Sequence, residues 1–468
     1  MASEKKSKNF SGQIGFVLAA AGSAVGLGNI WRFPYLAAKD GLLFIVIYLV
    51  LLLTFGFTLL ITDIAIGRKT RKSSIYAYNA ISSKWKYLGI LTFIVPALIM
   101  TYYPVIGGWI MRYITVYLTG MQAAAAESNF FSSFITSSVS PTVYAIIFMG
   151  VTGFVIYSGV LKGIERCSVW LMPIMFIMLV GIAIYALTLE YQAPNGDVRT
   201  GLQGLAYILT PKTEALTLSR FCTVLLDAMG QLFFSLSISM GIMISYGAYV
   251  KSDVNLSRCV LHIEIFDTLA AILAAIIIIP TIYVFTGPEG MKAGPSLMFI
   301  SLPKIFNAMG TAGIFMGAAF FIMAAFAALT SCISVLEPIV GNFMDHFESH
   351  RKKTTVIATL VYFLLTTIIV LGYSVFYVEV KLPNGSVGQL LDIADYIATA
   401  LLMPVVSLLT CILIGRVVGP SWIVDEIERN GVKFGFAKLY GLMIRYVAPV
   451  LMVVIFLQSV GILGKILG

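Results

Sequence analysis

The stretch Ala19-Ala20-Ala21-Gly22-Ser23-Ala24-Val25-Gly26-Leu27-Gly28-Asn29-Ile30-Trp31-Arg32-Phe33-Pro34 has the apolarity of a membrane helix and the composition of a broken one. Each of its three glycines weakens a helix by about 1 kcal/mol relative to alanine. An amide and a guanidinium follow near membrane depth, where a charge costs at least about 2.5–3.5 kcal/mol on insertion scales. Gly22 and Gly26 alone fit a GxxxG helix-packing pair equally well. Packing does not account for Asn29 and Arg32, because a helix interface wants small residues and not polar groups in need of partners. The segment is no dinucleotide-binding loop either, since Trp31 stands where the third glycine belongs and no strand precedes it.

A second stretch repeats the defect. In Gln231-Leu232-Phe233-Phe234-Ser235-Leu236-Ser237-Ile238-Ser239-Met240-Gly241, five of eleven positions are polar or glycine. Single serines can satisfy themselves on the i−4 carbonyl, but this density predicts unwinding. Two interrupted spans, five spans apart, point to an inverted five-plus-five repeat. Its site would lie at the breaks, where free carbonyls bind cations and half-helix N-termini bind anions. Irregular backbone at that depth survives only where it lines a cavity.

The rest of the 468 residues supplies the setting. At 59% hydrophobic and 11% charged, the chain is no water-soluble globule. Apolar runs long enough to cross about 30 Å of hydrocarbon fall at Gln13–Ala38, Leu42–Gly67, Leu88–Leu118, Val143–Tyr157, Ser168–Leu189, Phe221–Tyr249, Cys259–Thr286, Ala312–Met344, Thr354–Tyr373, Leu390–Ile414 and Leu439–Leu463. This gives an all-α polytopic membrane protein of eleven helices in a single domain. Residues 1–12 precede it, helices 1–5 (about 13–189) and 6–10 (about 221–414) form the repeats, and helix 11 spans about 439–463. Basic residues crowd one set of alternate loops, among them Lys5, Lys6, Lys8, Arg68, Lys69, Arg71, Lys72, Arg351, Lys352 and Lys353. The opposite loops hold only Arg199, Lys212, Arg220, Lys292, Lys304, Lys381 and Lys465. The positive-inside rule then predicts a cell-membrane protein with a cytoplasmic N-terminus and an extracellular or periplasmic C-terminus. The net charge of +9 reads as orientation and not as affinity for nucleic acid.

Five scattered cysteines and three histidines give neither a disulfide framework nor a transition-metal spacing. Polar groups at depth are instead hard oxygens: Glu264 and Asp267 in the seventh span, Thr330, Ser331 and Glu337 in the eighth, Asp392 and Asp395 in the tenth. For any one of them a structural hydrogen bond remains an alternative; together they favour an alkali cation. A channel would need a continuous polar stripe and an intramembrane enzyme a nucleophile beside a base. Neither is visible, so no enzyme and no organic cofactor are expected.

These motifs resemble the neurotransmitter:sodium symporter family in its bacterial amino-acid-transporting branch. The resemblance runs through AAAGSAVGLGNIWRFPYLAA, KGIER followed by Met172-Pro173, GQLFFSLS, LTS at 329–331 and LDIADYIA, and covers the chain to about Leu463. It implies a leucine-transporter-type fold and two sodium ions. Sodium site 1 would be Ala24, Asn29, Ser235 and Asp267, completed by the substrate carboxylate. Site 2 would be the carbonyls of Gly22, Val25 and Ala327 with the hydroxyls of Thr330 and Ser331. The implied substrate pocket is Ala24, Gly26, Gly28, Ile99, Tyr103, Phe234, Ser235, Ser237, Met240, Ser331 and Val335, with Ser239 and Ser334 also bearing on selectivity. Arg32 and Asp395, with Tyr103 and Phe234 as a lid, would form the outer gate, and Phe10, Tyr249 and Asp345 the inner one. The family's N-terminal arginine has no clear counterpart among Lys5, Lys6 and Lys8.

Gly26 stands where monoamine carriers place an aspartate, which implies an amino acid, neutral and hydrophobic in the expected reading. Asp267 takes a position that is usually Asn, and Ala271 one that is usually Ser or Glu. A fixed carboxylate there implies independence from chloride and a group able to carry a proton on the empty return. Gly163 and Pro173 match a glycine-to-proline spacing expected at the start of span five, where the helix would unwind. Asp63 replaces a Glu that braces the sixth span, Ser239 replaces a glycine and would narrow the pocket, the glycine run at Asp40-Gly41-Leu42-Leu43 is one residue short, and Glu264 has no family role. Proton coupling through Asp267 or Glu264, and an amino-acid sensor that does not transport, are the alternatives. Oligomeric state is not legible; the bilayer, sodium and the amino acid are the expected partners.

Overall fold

The computed structural model describes residues 9–192, 196–210, 217–290, 296–429 and 431–462. Lys5, Lys6, Lys8, Lys212, Lys292 and Lys465, which entered the orientation argument, lie outside them, as do residues 1–8 and Leu463 at the end of the last expected span. Among the described residues nine helices are long and apolar enough to cross a bilayer: Leu42–Thr70, Ser83–Leu118, Ser140–Tyr157, Val160–Leu187, Leu256–Thr286, Thr311–Phe347, Arg351–Leu371, Leu390–Val417 and Ala437–Ser459. A tenth is the first span, Gln13–Ala24 and Gly28–Asp40, bent by 55° between its halves. The sixth expected span is two shorter helices, Leu218–Ser235 and Ile242–Ala248, separated by turns.

The breaks sit where the sequence is weakest as helix. Val25 leaves the helical region with φ −73° and ψ 100°, and a single π-helical turn, Gly28–Arg32, restarts the chain. In the sixth span Ser237, Ser239 and Gly241 all take positive φ (54°, 62° and 68°), so no regular helix can form between Ser235 and Ile242.

The fifth span departs from expectation. It begins at Val160, eight residues earlier than Ser168, as a π-helical stretch to Glu165 that runs into the α-helix Arg166–Leu187. The punctuation is Gly159 at φ 94°, which separates it from the fourth span. Pro173 therefore lies inside the helix and not at its start. Two short hairpins, Glu190–Gln192 with Val198–Thr200 and Val380–Lys381 with Val387–Gly388, are additions no apolar pattern foretold. The eighth span, 37 residues long, reaches about 55 Å at 1.5 Å per residue. It thus projects well beyond the hydrocarbon and carries Asp345 out of it.

Not every loop charge is there for orientation. Arg68 at the end of the second span is fully buried. Its Nε donates to Glu426 Oε1 at 2.7 Å and its Nη1 to the Val254 carbonyl at 2.7 Å, joining the second span to the segments before the seventh and after the tenth.

The second span and Ile242–Ala248 cross at backbone distance. A Cβ on Gly67 would fall 1.9 Å from the Ile244 carbonyl oxygen, and one on Gly247 2.3 Å from that of Ile64. Backbone cannot yield as a side chain can. Gly67→Ala and Gly247→Ala are each expected to lose most of the monodisperse protein recovered from membranes, measured by fluorescence-detected size exclusion, whereas Gly12→Ala, with nothing within 4 Å, should be recovered as wild type.

Candidate ion and substrate site

At the first break the chain turns in on itself. The Gly26 N–H donates to Asn29 Oδ1 at 3.0 Å, which orients the amide so that its Nδ2 faces the seventh span and donates to Asp267 Oδ1 at 2.8 Å. Ser235, the last residue of the first half of span six, donates to the same oxygen at 2.6 Å. The other carboxylate oxygen accepts the phenol of Tyr48 from span two at 2.8 Å. Asp267 has no exposed surface. One carboxylate thus binds spans one, two and six to span seven, with Asn29, Ser235 and Asp267 in one hydrogen-bonded cluster and Ala24 on the wall of the adjoining cavity.

The second group of expected ion ligands also converges. Ser331 Oγ lies 3.4 Å from the carbonyl of Gly22, 3.3 Å from that of Ser23 and 3.4 Å from that of Val25. Thr330 Oγ1 lies 3.0 Å from the Phe326 carbonyl and 3.1 Å from that of Ala327. A hydroxyl has one proton, so the three carbonyls have between them the Ser331 hydroxyl and, on Ser23, the Ser237 hydroxyl at 3.3 Å. Several oxygens with too few hydrogens among them suit a hard cation, and this donor set contains no nitrogen or sulfur.

Between the two clusters is a cavity of about 30 Å³ lined by Ser23, Ala24, Gly26, Gly28, Asn29, Ile99, Tyr103, Phe234, Ser235, Ser237, Met240, Ser331 and Val335. Every residue expected of the substrate pocket borders it. Ser23 and Asn29 join them; Ser239 and Ser334 do not. Ser334 is turned to Tyr246 (2.8 Å) and the Thr330 carbonyl (2.9 Å), and Ser239 faces away toward spans two and ten, so the expected narrowing of the pocket by its side chain is not what the structure has. At position 26 only glycine leaves room, because a Cβ would come within 2.9 Å of Ser331 Oγ and 3.4 Å of the Tyr103 hydroxyl. Ligand sites usually offer at least about 300 Å³, so a bound amino acid must spread the flexible walls, Phe234, Met240 and Ile99.

The model of the sodium:neurotransmitter symporter family matches residues 7–132 and 129–465. The chain belongs to this family. An uncharacterized sodium-dependent transporter, YhdH, of Bacillus subtilis (strain 168) is 32% identical over 99% of this chain and 100% of its own length. The sodium- and chloride-dependent GABA transporter 2 of Mus musculus is 24% identical over 90% of this chain and 75% of its own. The crystal structure of MhsT in complex with L-phenylalanine superposes with a TM-score of 0.82 at 32% identity, covering 97% of this chain and 99% of that one. The protein is therefore a sodium-dependent transporter with the fold of MhsT, and its family is one of carriers and not of enzymes.

The transporter's expected gates fall on either side of the cavity. Tyr103 and Phe234 line it directly. Asp395 accepts the hydroxyl of Tyr102 at 2.6 Å. Arg32 is exposed and rests against Gly230, where a Cβ would meet its Nη2 at 2.8 Å. No Arg32–Asp395 ion pair within 4.0 Å occurs, so the two expected partners stand apart. At the other end Phe10 is buried, its N–H donating to the Tyr249 carbonyl at 3.1 Å and its ring packed edge-on against Tyr246 at 5.7 Å. Asp345 accepts the backbone N–H of Ser73 at 3.0 Å.

Sequence reasoning missed the strongest contact at this end. Glu337 receives Arg351 on both oxygens (2.6 and 2.7 Å) and the Tyr249 hydroxyl at 2.7 Å. A buried carboxylate is stabilised by a paired cation or by converging hydrogen-bond donors, and the run Arg351-Lys352-Lys353 was a nearby supply of cations. Tyr249, Asp345 and Arg351 also line a larger cavity of about 1010 Å³ at the end that carries Asn9. Tyr48 was missed as well; its one sign was a lone hydroxyl-bearing side chain in the apolar run Leu42–Leu53. Asp63 does brace the sixth span, accepting the Ser239 N–H at 3.0 Å.

Glu264 is 1% exposed and neither of its carboxyl oxygens has a hydrogen-bond partner. Burying an unsatisfied polar group costs about 1–3 kcal/mol, more if charged. Glu264→Met should therefore raise the apparent Tm of the purified transporter by several degrees, whereas Glu337→Met, which strands Arg351, should lower it.

Proposed function

We propose that the protein is a symporter that imports a neutral, hydrophobic L-amino acid with two sodium ions by alternating access, independently of chloride. The observation that carries this reading is the Asp267 carboxylate, buried among the Asn29, Ser235 and Tyr48 donors beside the central cavity. The ionised carboxylate would balance a sodium ion there without an added anion. The ion would bind the Asn29 carbonyl oxygen, Ser235, Asp267 and the Ala24 carbonyl, and the substrate carboxylate, seated at Gly26, would complete the shell. Ion and substrate then hold each other in place. The second ion would take the oxygens of Gly22, Val25, Ala327, Thr330 and Ser331, joining spans one and eight.

The side-chain end of the cavity, Ile99, Phe234, Met240 and Val335, is apolar, which supports a hydrophobic substrate, as does the L-phenylalanine complex of the similar MhsT. With a potential of 100 mV at about 2.3 kcal/mol per charge and a tenfold sodium gradient at about 1.4 kcal/mol, two ions supply about 7 kcal/mol. That concentrates a zwitterion roughly 10⁵-fold. In this reading the N-terminus is cytoplasmic, the Arg32 and Asp395 end faces out, and the cavity beside Arg351 is the exit.

The test is uptake and counterflow in proteoliposomes with a panel of labelled amino acids. Sodium-driven uptake should persist when chloride is replaced by gluconate, and Asp267→Asn should become chloride-dependent or lose at least tenfold in rate. A large chloride requirement in the wild type would reject the assignment of Asp267. Ser331→Ala should raise the sodium KM at least fivefold. The unpartnered Glu264 favours proton coupling as the second reading; uptake that follows a pH gradient without sodium would select it. Binding without counterflow would identify a sensor.

A further inference from the structure

Among the buried contacts that the transport reading leaves unused, the one at Ser239 bears on substrate range. From Ser235 to Ile242 the chain alternates through left-handed residues, Ser237 at φ 54°, Ser239 at φ 62° and Gly241 at φ 68°. Residues with a Cβ rarely adopt this conformation and hold it only where their surroundings over-determine it. The alternation sends neighbouring side chains in different directions. Ser237 and Met240 face the central cavity. Ser239, 2% exposed, faces away from it, with its N–H on Asp63 Oδ2 of span two at 3.0 Å and its hydroxyl 2.7 Å from Ser407 Oγ of span ten. Ser407 is wholly buried and does not border the cavity.

Glycine would satisfy this backbone without strain and would keep the bond to Asp63, because that bond uses the main chain. What serine adds is the hydroxyl, and the hydroxyl reaches span ten. Met240 is the next residue and one of the flexible walls that must move for a ligand to enter. With position 239 tied on two sides, the backbone of Met240 has little freedom to follow a larger side chain.

We propose that Ser239 is a positioning residue: its hydroxyl bond to Ser407 fixes the unwound stretch of span six against span ten and thereby restricts the range of side-chain sizes that the pocket accepts. This rests on reading the central cavity as the amino-acid site. Two substitutions separate the parts of the argument. Ser239→Gly removes the tether and the strain together. Ser407→Ala removes the tether alone, at a position that touches neither cavity nor ion cluster. Ser407→Thr keeps a hydroxyl and serves as the rescue.

The experiment is sodium-driven uptake by the full-length chain in proteoliposomes, with KM measured for valine, leucine, phenylalanine and tryptophan. In the wild type these KM values should spread widely between the best and the worst of the four. Ser407→Ala and Ser239→Gly should each narrow that spread at least fivefold, with the maximal rate for the preferred amino acid and the sodium KM changed less than twofold, and Ser407→Thr should restore the wild-type spread. An unchanged spread in Ser407→Ala protein that is monodisperse and active would overturn the proposal, as would a uniform fall in maximal rate with every KM preserved, which marks a structural contact only. Should Ser239→Gly fail to fold, the Ser407 pair decides alone. A wild type that moves sodium but none of the four amino acids would overturn the reading of the cavity and this inference with it; a wild type that moves them with an unaltered spread in the variants overturns the inference only.

Discussion

In a bilayer every backbone polar group must find its partner within the protein, and this chain is organised around the two places where it breaks that requirement open. At Val25–Leu27 and at Leu236–Gly241 the ladder of helical hydrogen bonds stops. The freed carbonyls of Gly22, Ser23 and Val25 meet the Ser331 hydroxyl, Ser23 that of Ser237 as well, and the freed N–H of Ser239 meets one carboxylate, Asp63. Elsewhere the long helices satisfy themselves and need only pack. The breaks are therefore the part of the fold with unspent capacity to bind ions.

The electrostatics follow from the same constraint. Asp267 is tolerated at full burial because three donors from three other spans converge on it. Glu337 is tolerated because Arg351 grips both its oxygens. Glu264 has neither kind of support. The three carboxylates form a graded series, from neutral donors through a full countercharge to nothing, and they occupy different depths of one molecule.

How much of this the sequence disclosed depended on the kind of signal. The breaks were legible because glycine, amide and hydroxyl residues interrupt otherwise apolar runs, and most cavity-lining residues because they lie within those interruptions or within the quoted motifs, whereas Ile99, Tyr103 and Val335 followed only from the family resemblance. The start of the fifth span was not, since Lys162, Glu165 and Arg166 read as loop charge although the chain continues through them as π-helix and α-helix. Arg68 misled in the same way: its charge pointed to a water-facing loop, and its partner Glu426 is 358 positions distant. Ser239 was noticed as a departure from glycine but given the wrong direction, because a left-handed residue points its side chain where a helical pattern would not. Arg351 and Tyr48 depend on pairings across the fold that no local pattern carries.

The crossing of Gly67 and Gly247 makes the second span and the second half of the sixth, Ile242–Ala248, a single welded piece, to which Tyr48 adds the seventh and Phe10, through the Tyr249 main chain, the first. The eighth span meets that piece near the cavity through the hydroxyls of Ser331 and Ser334. Farther along it does so through the Tyr249 hydroxyl on Glu337, itself paired with Arg351 of the ninth span, and through Asn342 and Asp345 on the backbone N–H groups of Ile75 and Ser73. The tenth meets it near the cavity through Ser407. A lone hydroxyl bond exchanges for water at little net cost, whereas interlocked backbone does not exchange at all. Near the cavity the molecule thus has a seam fastened by hydroxyl bonds that water can replace, held more firmly at one end by Glu337, Asn342 and Asp345, and slippage along that seam would leave the welded piece intact.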